Sequence, residues 1–176
     1  MLLCDRDLIA LLRTGDLVVR PLGPDAMQPA SIDVRLGRKL LVTTPWGDMG
    51  REYDLITEGA FMLQEGYFVL GATLEWIEIP PTHAGIIVGK SSRAREGLVI
   101  EDAGYIDPGW KGEITLELSN RSPVPFRLEY EMPIGQLRIE MLSGRAIRPY
   151  GSDGLGSHYQ GSAGPIPSRA GKEVST

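Results

Sequence analysis

The stretch GKSSRAREGL, near the middle of the chain, concentrates side chains that could bind an anion. Lys90, Arg93 and Arg95 surround the adjacent hydroxyl groups of Ser91 and Ser92. Cationic groups and hydroxyl donors are typical ligands of phosphate oxygens. The composition predicts either an ordinary solvated loop or a pocket for a phosphate chain, and this stretch alone leaves both open.

A second candidate group is the carboxylate of Glu117, in the stretch GEITLELSN. Polar and apolar residues alternate there, which predicts a strand with one apolar face and with Glu113, Thr115 and Glu117 on the other face. Glu117 is then either an exposed carboxylate in the middle of a strand or a general base facing a cavity at a sheet edge or subunit boundary. The pattern does not choose between these roles.

Other chemistries lack the necessary residues. Two histidines and one cysteine do not supply the ligands of a familiar zinc hydrolase or deaminase, so we expect no protein-bound zinc. GKSS imitates the end of a G-x-x-x-x-G-K-[ST] loop, but the earlier glycine is missing. His83, which follows Pro80 and Pro81, is expected to be a surface loop residue.

The 176 residues, 42% of them hydrophobic, fit one globular domain. We expect a domain over residues 1–150 and a tail of the same domain over residues 151–176. The net charge of −5 argues against nonspecific nucleic-acid binding, and no apolar stretch is long enough to cross a membrane. One cysteine, Cys4, allows no internal disulfide, and the absence of a leader pattern predicts a cytoplasmic protein.

The elements that must position these groups are mostly strands. DRDLIALLRT predicts one amphipathic helix with Leu8, Ile9, Leu11 and Leu12 on one side and Gly15 as its stop. The rest of the first 150 residues consists of short β-type runs broken by Gly and Pro, which predicts an all-β barrel or sandwich. The glycine-rich tail is either a disordered C-terminus or a lid that orders over a ligand.

Several ordered motifs resemble those of the dCTP deaminases, relatives of the trimeric dUTP pyrophosphatases. QPASIDVRLG is similar to the family's first strand motif, and GKSSRAREGL to its R-S-S-x-[AG]-R-x-G-L signature. AGYIDPGWKGEITLELSN, MPIGQL, RPYG and HYQGSAG follow in the family's order. The resemblance covers nearly the whole chain. It implies a distorted jelly-roll-like β barrel, a homotrimer with sites between subunits, a tail that closes over the nucleotide, and dCTP as substrate.

The resemblance also assigns catalytic roles. Glu117 is implied to be the acid/base that activates water for attack on C4 of cytosine. Ser91 and the backbone of Ala103 are implied to position that water. Arg95 is implied to orient Glu117 and to favour its ionised form through a charge-assisted hydrogen bond.

Substrate contacts follow from the same resemblance. Asp107 is implied to contact the deoxyribose hydroxyl, and Trp110 to pack near the sugar. Lys90, Ser91 and Ser92 are implied to hold the phosphates, with a Mg²⁺ ion bound mainly through the triphosphate. The remaining implied substrate-binding residues are Gln136, His158, Tyr159 and Ser162.

The chain departs from the family pattern at several positions. Lys90 stands where Arg is usual, so a bidentate phosphate contact becomes a point-charge contact. Arg93 and Glu96 replace apolar residues, which predicts changed subunit packing or an added surface pair at i, i+3 spacing. His158 stands where Lys is common and Ser162 where Gln is common. These two changes predict weaker phosphate contacts from the tail.

The connection VIED, before AGYIDPG, is one residue shorter than in deaminases that release dUTP. The short form resembles bifunctional members that deaminate dCTP and also split the α–β phosphate bond, with Asp107 helping to activate the second water. We therefore expect dUMP and diphosphate as products. The alternatives are a deaminase that releases dUTP, a dUTP pyrophosphatase, and a nucleotide-binding regulator of the same fold without turnover.

Overall fold

Strands dominate the computed structural model, which describes residues 1–43, 49–100 and 104–169. Within these residues the chain forms two helices and thirteen strands. The helices are α1 (Asp5–Thr14) and α2 (Ser91–Arg95), and the strands are β1 (Val18–Arg20), β2 (Met27–Gln28), β3 (Ser31–Arg35), β4 (Lys39–Thr43), β5 (Met49–Asp54), β6 (Phe61–Leu63), β7 (Phe68–Glu78), β8 (His83–Gly89), β9 (Leu98–Ile100), β10 (Tyr105–Ile106), β11 (Lys111–Asn120), β12 (Phe126–Leu128) and β13 (Pro133–Met141). The all-β class predicted from the sequence is confirmed.

The strands form two larger antiparallel sheets and one small one. The order of the six-stranded sheet is β5-β4-β7-β11-β9, with β1 also paired to β7. The five-stranded sheet has the order β10-β8-β13-β3-β2, and β12 pairs with β6. The chain crosses repeatedly between the two larger sheets, as in jelly-roll architectures.

Aliphatic side chains from both larger sheets build one core. Each fully buried Leu or Ile contributes about 1.5–3 kcal/mol relative to an exposed side chain. The largest fully buried side chains are Leu8, Leu17, Ile32, Leu36, Leu40, Leu63, Ile77, Leu116, Leu118, Leu128, Ile134 and Leu137. Because three long strands, β7, β11 and β13, are anchored in this core, they can hold side chains on their other faces in fixed positions.

Helix α1 packs on this core through one narrow side. Leu8 is fully buried, and Leu11 and Leu12 pack against the core. Ile9 is 37% exposed, so the expectation that it shares the buried side is wrong, because it lies about 100° around the helix from Leu8. Gly15 ends the helix in the left-handed conformation, with a φ of 77°. No described helix has the length and apolar character that a membrane span requires.

A buried ion pair joins the two larger sheets. The Nε of Arg35, on β3, donates to Oε1 of Glu75, on β7, at 2.8 Å, and the Arg35 backbone N–H donates to Oε2 at 2.9 Å. The Glu75 side chain is 1% exposed and that of Arg35 is 17% exposed. Both carboxylate oxygens therefore accept hydrogen bonds from a single residue of the opposite sheet.

His83 is a buried residue of strand β8, and the expectation of a surface loop residue is wrong. Its Nδ1 lies 2.9 Å from the hydroxyl of Thr82. Burial lowers its pKa below the usual value, because desolvation disfavours the imidazolium ion. The loop expected after Pro80 and Pro81 therefore extended one residue too far, because strand β8 begins at His83.

Candidate active site

Strand β11 places Glu117 on the side of the sheet away from the core. The strand lies between β7 and β9, and its residues alternate between buried and half-buried positions. Leu116 and Leu118 are buried, whereas Thr115 and Glu117 are half buried on the opposite face. The alternation predicted for this strand is confirmed.

Glu117 lines a cavity of about 590 Å³. Cavities of this size accommodate small-molecule ligands in proteins. The walls are mainly aromatic and aliphatic, with a few polar groups that could orient a ligand. The lining residues are Phe68, Leu70, Tyr105, Ile106, Asp107, Trp110, Ile114, Thr115, Glu117, Tyr150, Tyr159, Ser162, Ile166 and Ser168.

The DPGW turn after β10 forms one wall of this cavity. The backbone N–H of Trp110 donates to the Asp107 carbonyl at 3.1 Å, and Gly109 between them has a φ of 90°. A side chain at Gly109 would place its Cβ 2.6 Å from the Cβ of Pro149, so the turn also requires glycine for space. The turn leaves Asp107 exposed and buries Trp110, whose ring lies 5.4 Å from that of Tyr150. A carboxylate therefore stands beside a flat apolar wall, an arrangement that suits a sugar or base.

The described part of the tail, residues 151–169, packs along β11 of its own chain. The Gly161 N–H donates to the Lys111 carbonyl at 2.8 Å, and the Glu113 N–H donates to the Ser162 carbonyl at 2.8 Å. Tail residues contribute four side chains to the cavity wall, namely Tyr159, Ser162, Ile166 and Ser168. This arrangement fits the lid interpretation for these residues.

Helix α2 carries the predicted serines and arginine outside this cavity. Ser91, Ser92 and Arg95 are exposed and do not belong to the cavity wall. Strand β9, which follows the helix, pairs with residues 118–120 of β11, beyond Glu117 along the strand. Within one chain, Ser91 and Arg95, which are predicted to position the water and the base, therefore lie outside the cavity that Glu117 lines.

Lys90 and Gln136 meet in a second polar cluster, at the end of the five-stranded sheet. The Lys90 ammonium group pairs with the Asp33 carboxylate. The Gln136 side-chain amide donates to Asp33 Oδ1 at 3.1 Å and lies 3.3 Å from the Ser31 hydroxyl. Two predicted substrate-binding residues therefore share one carboxylate partner, Asp33, that the sequence reasoning did not single out.

The substrate-binding roles of the tail residues His158, Tyr159 and Ser162 stay predictions. The Ser162 hydroxyl donates to the Tyr159 carbonyl at 2.5 Å and is mostly buried. The His158 carbonyl accepts from the Arg169 guanidinium at 2.5 Å, and the His158 ring lies 6.1 Å from that of Tyr159. Ala103 and the end of the VIED connection lie outside the described residues.

A family model described as dCTP deaminase-like matches residues 2–142 of this chain. The chain belongs to the dCTP deaminase-like family. A relative from Corynebacterium kroppenstedtii, named dCTP deaminase, dUMP-forming, is 46% identical over 97% of this chain and 97% of its own length. The family resemblance of the ordered motifs is confirmed.

Solved structures share the fold of this dCTP deaminase-like chain. The 2'-deoxycytidine 5'-triphosphate deaminase from Agrobacterium tumefaciens is 24% identical with a TM-score of 0.66, over 80% of this chain and 48% of that one. This chain thus spans about half of that protein's length. The EIAV dUTPase is 22% identical with a TM-score of 0.52, over 78% of this chain and 98% of its own. The dUTPase-type barrel expected from the resemblance is confirmed.

One departure from the dCTP deaminase-like signature has a local explanation. Arg93 and Glu96, which replace apolar residues, form the predicted i, i+3 ion pair at 3.2 Å. The Arg93 Nε also donates to the Pro133 carbonyl at 3.3 Å, at the start of β13. The substitution therefore ties α2 to a neighbouring strand through polar contacts. An exposed ion pair of this kind contributes about 0–1 kcal/mol.

The missed residue Asp33 carried a weak signal in the sequence. It lies in QPASIDVRLG, a motif of the dCTP deaminase-like family, as the one acidic side chain between the buried residues Ile32 and Val34. Strand alternation places it on the face away from the core. Its partners Lys90 and Gln136 are more than 50 residues away in sequence, so pattern alone could not assign it to them.

Proposed function

We propose that the protein hydrolyses dCTP, releasing ammonia from the cytosine ring and splitting the triphosphate to give dUMP and diphosphate. The observation that carries this proposal is the position of Glu117, half buried on a rigid central strand and facing an aromatic-lined cavity of about 590 Å³. The name of the Corynebacterium kroppenstedtii relative, dCTP deaminase, dUMP-forming, supports the same reaction.

Glu117 is the proton-transfer group of the first step. Its carboxylate takes a proton from a water molecule, whose oxygen then forms a bond to C4 of cytosine, and the proton passes to N3. From the tetrahedral intermediate, the second water proton goes to the amine, the C4–N4 bond breaks, and ammonia leaves with a C4 carbonyl in place. Arg95 and Ser91 orient the base and the water in this proposal.

Asp107 serves the second step. A second water attacks the α-phosphorus, its proton is accepted at Asp107, and the bond to the diphosphate leaving group breaks. The exposed carboxylate of Asp107 stands at the edge of the same cavity as Glu117. Both steps then act on one bound nucleotide.

The proposed active enzyme is a homotrimer with sites shared between chains. Arg95 and Ser91 lie outside the Glu117 cavity of their own chain, and this supports the assembly. In the trimer, one chain would supply Glu117 and a neighbouring chain would supply Arg95 and Ser91. The outer face of the five-stranded sheet also exposes apolar side chains, among them Tyr105, which is 60% exposed, and Val88. Burying such a face between subunits stabilises an oligomer.

Complementation between two inactive variants tests this sharing of sites. Glu117→Gln and Arg95→Ala should each lower deamination by about 100-fold or more when expressed alone. Coexpressed trimers of both variants should recover about a quarter of the wild-type sites, because random assembly of a closed ring places an intact Glu117 against an intact Arg95 at that frequency. Ammonia release measures the recovery. Persistent inactivity of mixed trimers would show that both groups act within one chain.

Mg²⁺ is the proposed partner of the triphosphate. Asp33 already pairs with Lys90, so the phosphate chain meets a pair of nearly zero net charge and needs a further cation. Across residues 1–43, 49–100 and 104–169, no three His, Cys, Asp or Glu side chains are placed to hold a metal ion. Phosphate oxygens and water would therefore be the main ligands, a binding mode that suits Mg²⁺. When bound, the ion would reduce repulsion among the phosphates.

The product distribution tests the proposed reaction. Wild-type protein incubated with dCTP and Mg²⁺ should release equal amounts of ammonia, dUMP and diphosphate, with little free dUTP, because both steps share one site. Chromatography of the nucleotides over time measures this. Persistent dUTP would assign a deaminase without the second step. Hydrolysis of added dUTP without attack on dCTP would assign a dUTP pyrophosphatase, and binding without turnover would assign a regulator.

We further propose a cytoplasmic location, which the single cysteine, Cys4, supports.

A further inference from the structure

The tail changes its mode of binding to β11 after Ser162. Up to that residue it pairs with β11 through backbone hydrogen bonds, and Ser162 bridges Gly112 in parallel orientation. The next stretch is GPIPS, residues 164–168. Pro165 and Pro167 carry no N–H group. A continued backbone ladder is therefore impossible, and backbone donors remain at every second residue.

Side chains of β11 accept the next two of these donors. The Gly164 N–H donates to Glu113 Oε2 at 2.6 Å, and the Ile166 N–H donates to the Thr115 hydroxyl oxygen at 3.2 Å. Residues 113 and 115 share one face of the strand because strand side chains alternate. The prolines leave an N–H group at every second tail residue, and this spacing matches that of the acceptor side chains on one face of β11.

The same face of β11 continues to Glu117. Thr115 stands between Glu113 and Glu117 along the strand, and both Thr115 and Glu117 line the cavity. Ile166, held by Thr115, and Ser168, two residues further, line it as well. The contacts that hold the tail therefore determine which tail side chains enclose the space beside Glu117.

We propose that Glu113 and Thr115 are positioning residues that seat the tail over the active site through its backbone N–H groups. Glu113 supplies the stronger contact, because a carboxylate acceptor makes a charge-assisted hydrogen bond. Glu113 lies outside the cavity wall, and in this proposal both residues act on catalysis through the tail. The effect on catalysis rests on the function proposed above, whereas the effect on tail position does not depend on it.

Acceptor removal tests the proposal in full-length protein. The test variants are Glu113→Ala and Thr115→Val, which remove an acceptor, and their conservative counterparts are Glu113→Gln and Thr115→Ser, which retain one. Glu52→Ala is the matched control, because Glu52 is a strand carboxylate on β5 that pairs with Lys39, and none of its contacts is with the described tail residues 151–169. Hydrogen exchange of the Gly164 and Ile166 amides, without nucleotide, measures tail seating directly.

Removing the acceptors should raise exchange at Gly164 and Ile166 about tenfold, as expected for loss of one net hydrogen bond of about 1.4 kcal/mol. The KM for dCTP should rise by a similar factor with a smaller change in kcat, and the conservative variants should restore both. Glu52→Ala should change neither. Unchanged exchange at Leu116 and Leu118 shows that β11 is intact.

Wild-type exchange at Gly164 and Ile166 in both acceptor-removal variants would overturn the proposal. So would faster exchange accompanied by an unchanged KM, because the tail would then not assist nucleotide binding. If Glu113→Ala also disturbs β11, the nearly isosteric Thr115→Val decides the case. A protein that turns over no dCTP would contradict the proposed function, yet amide exchange would still determine whether these residues seat the tail.

Discussion

Glu117→Gln should lower the rate of ammonia release from dCTP by about 10²–10⁴-fold, the contribution typical of a positioned acid/base. Glutamine preserves the shape of the side chain and keeps one carbonyl acceptor, but its amide cannot take a proton from water at neutral pH. The buried neighbours Leu116 and Leu118 hold the strand in the core, so the fold should persist. A coupled ammonia assay at saturating dCTP measures the loss.

The control for this variant is Glu52→Gln, the same chemical change on an exposed strand outside the cavity. It should retain wild-type turnover. Nucleotide binding to Glu117→Gln, measured by calorimetry with dCTP, should persist, because the proposed phosphate contacts are unchanged. Near-normal ammonia release from Glu117→Gln would remove Glu117 from the mechanism.

Glu75→Gln should destabilise the protein by about 3 kcal/mol, in the range observed when a buried ion pair loses one partner. Both Glu75 oxygens accept hydrogen bonds from Arg35, so a glutamine must direct its NH₂ group at one of these donors. The Arg35 charge also loses its partner in a mostly buried position. With an m-value of about 2 kcal/mol per molar urea, the unfolding midpoint should fall by about 1.5 M.

The matched control is again Glu52→Gln, which removes a carboxylate from the exposed pair with Lys39 and should cost about 0–1 kcal/mol. Both variants should be compared at equal protein concentration, because oligomer stability depends on it. Equal unfolding midpoints for Glu75→Gln and wild type would mean that water or a rearranged Arg35 replaces the lost contact.

The sequence correctly predicted those elements whose buried face follows from the spacing of nearby apolar residues. The alternation in β11 correctly placed Leu116 and Leu118 in the core and Glu117 on the opposite face, because a strand repeat of two is visible within a few residues. Helix α1 was found for the same reason, together with its stop at Gly15. Its buried side was narrower than expected, since Ile9 is apolar but exposed.

Features that depend on distant contacts were not predictable in this way. Ser91–Arg95 forms a one-turn helix that has no buried residue and hence no amphipathic signal. The acceptor role of Glu113 depends on a tail residue 51 positions away. Only the structure shows that Arg95 lies outside the Glu117 cavity, because no pattern in the sequence determines where α2 packs.

The two prolines that space the tail's donors also influence how easily the tail can open and close. Ordering the backbone of one residue costs about 1–2 kcal/mol in conformational entropy, and a proline with a fixed φ has less of that freedom to lose. Pro165 and Pro167 therefore limit the number of shapes that the released tail can adopt. Closure over a new nucleotide then costs less entropy, and the few side-chain contacts to Glu113 and Thr115 are sufficient to hold a segment that must also open for product to leave.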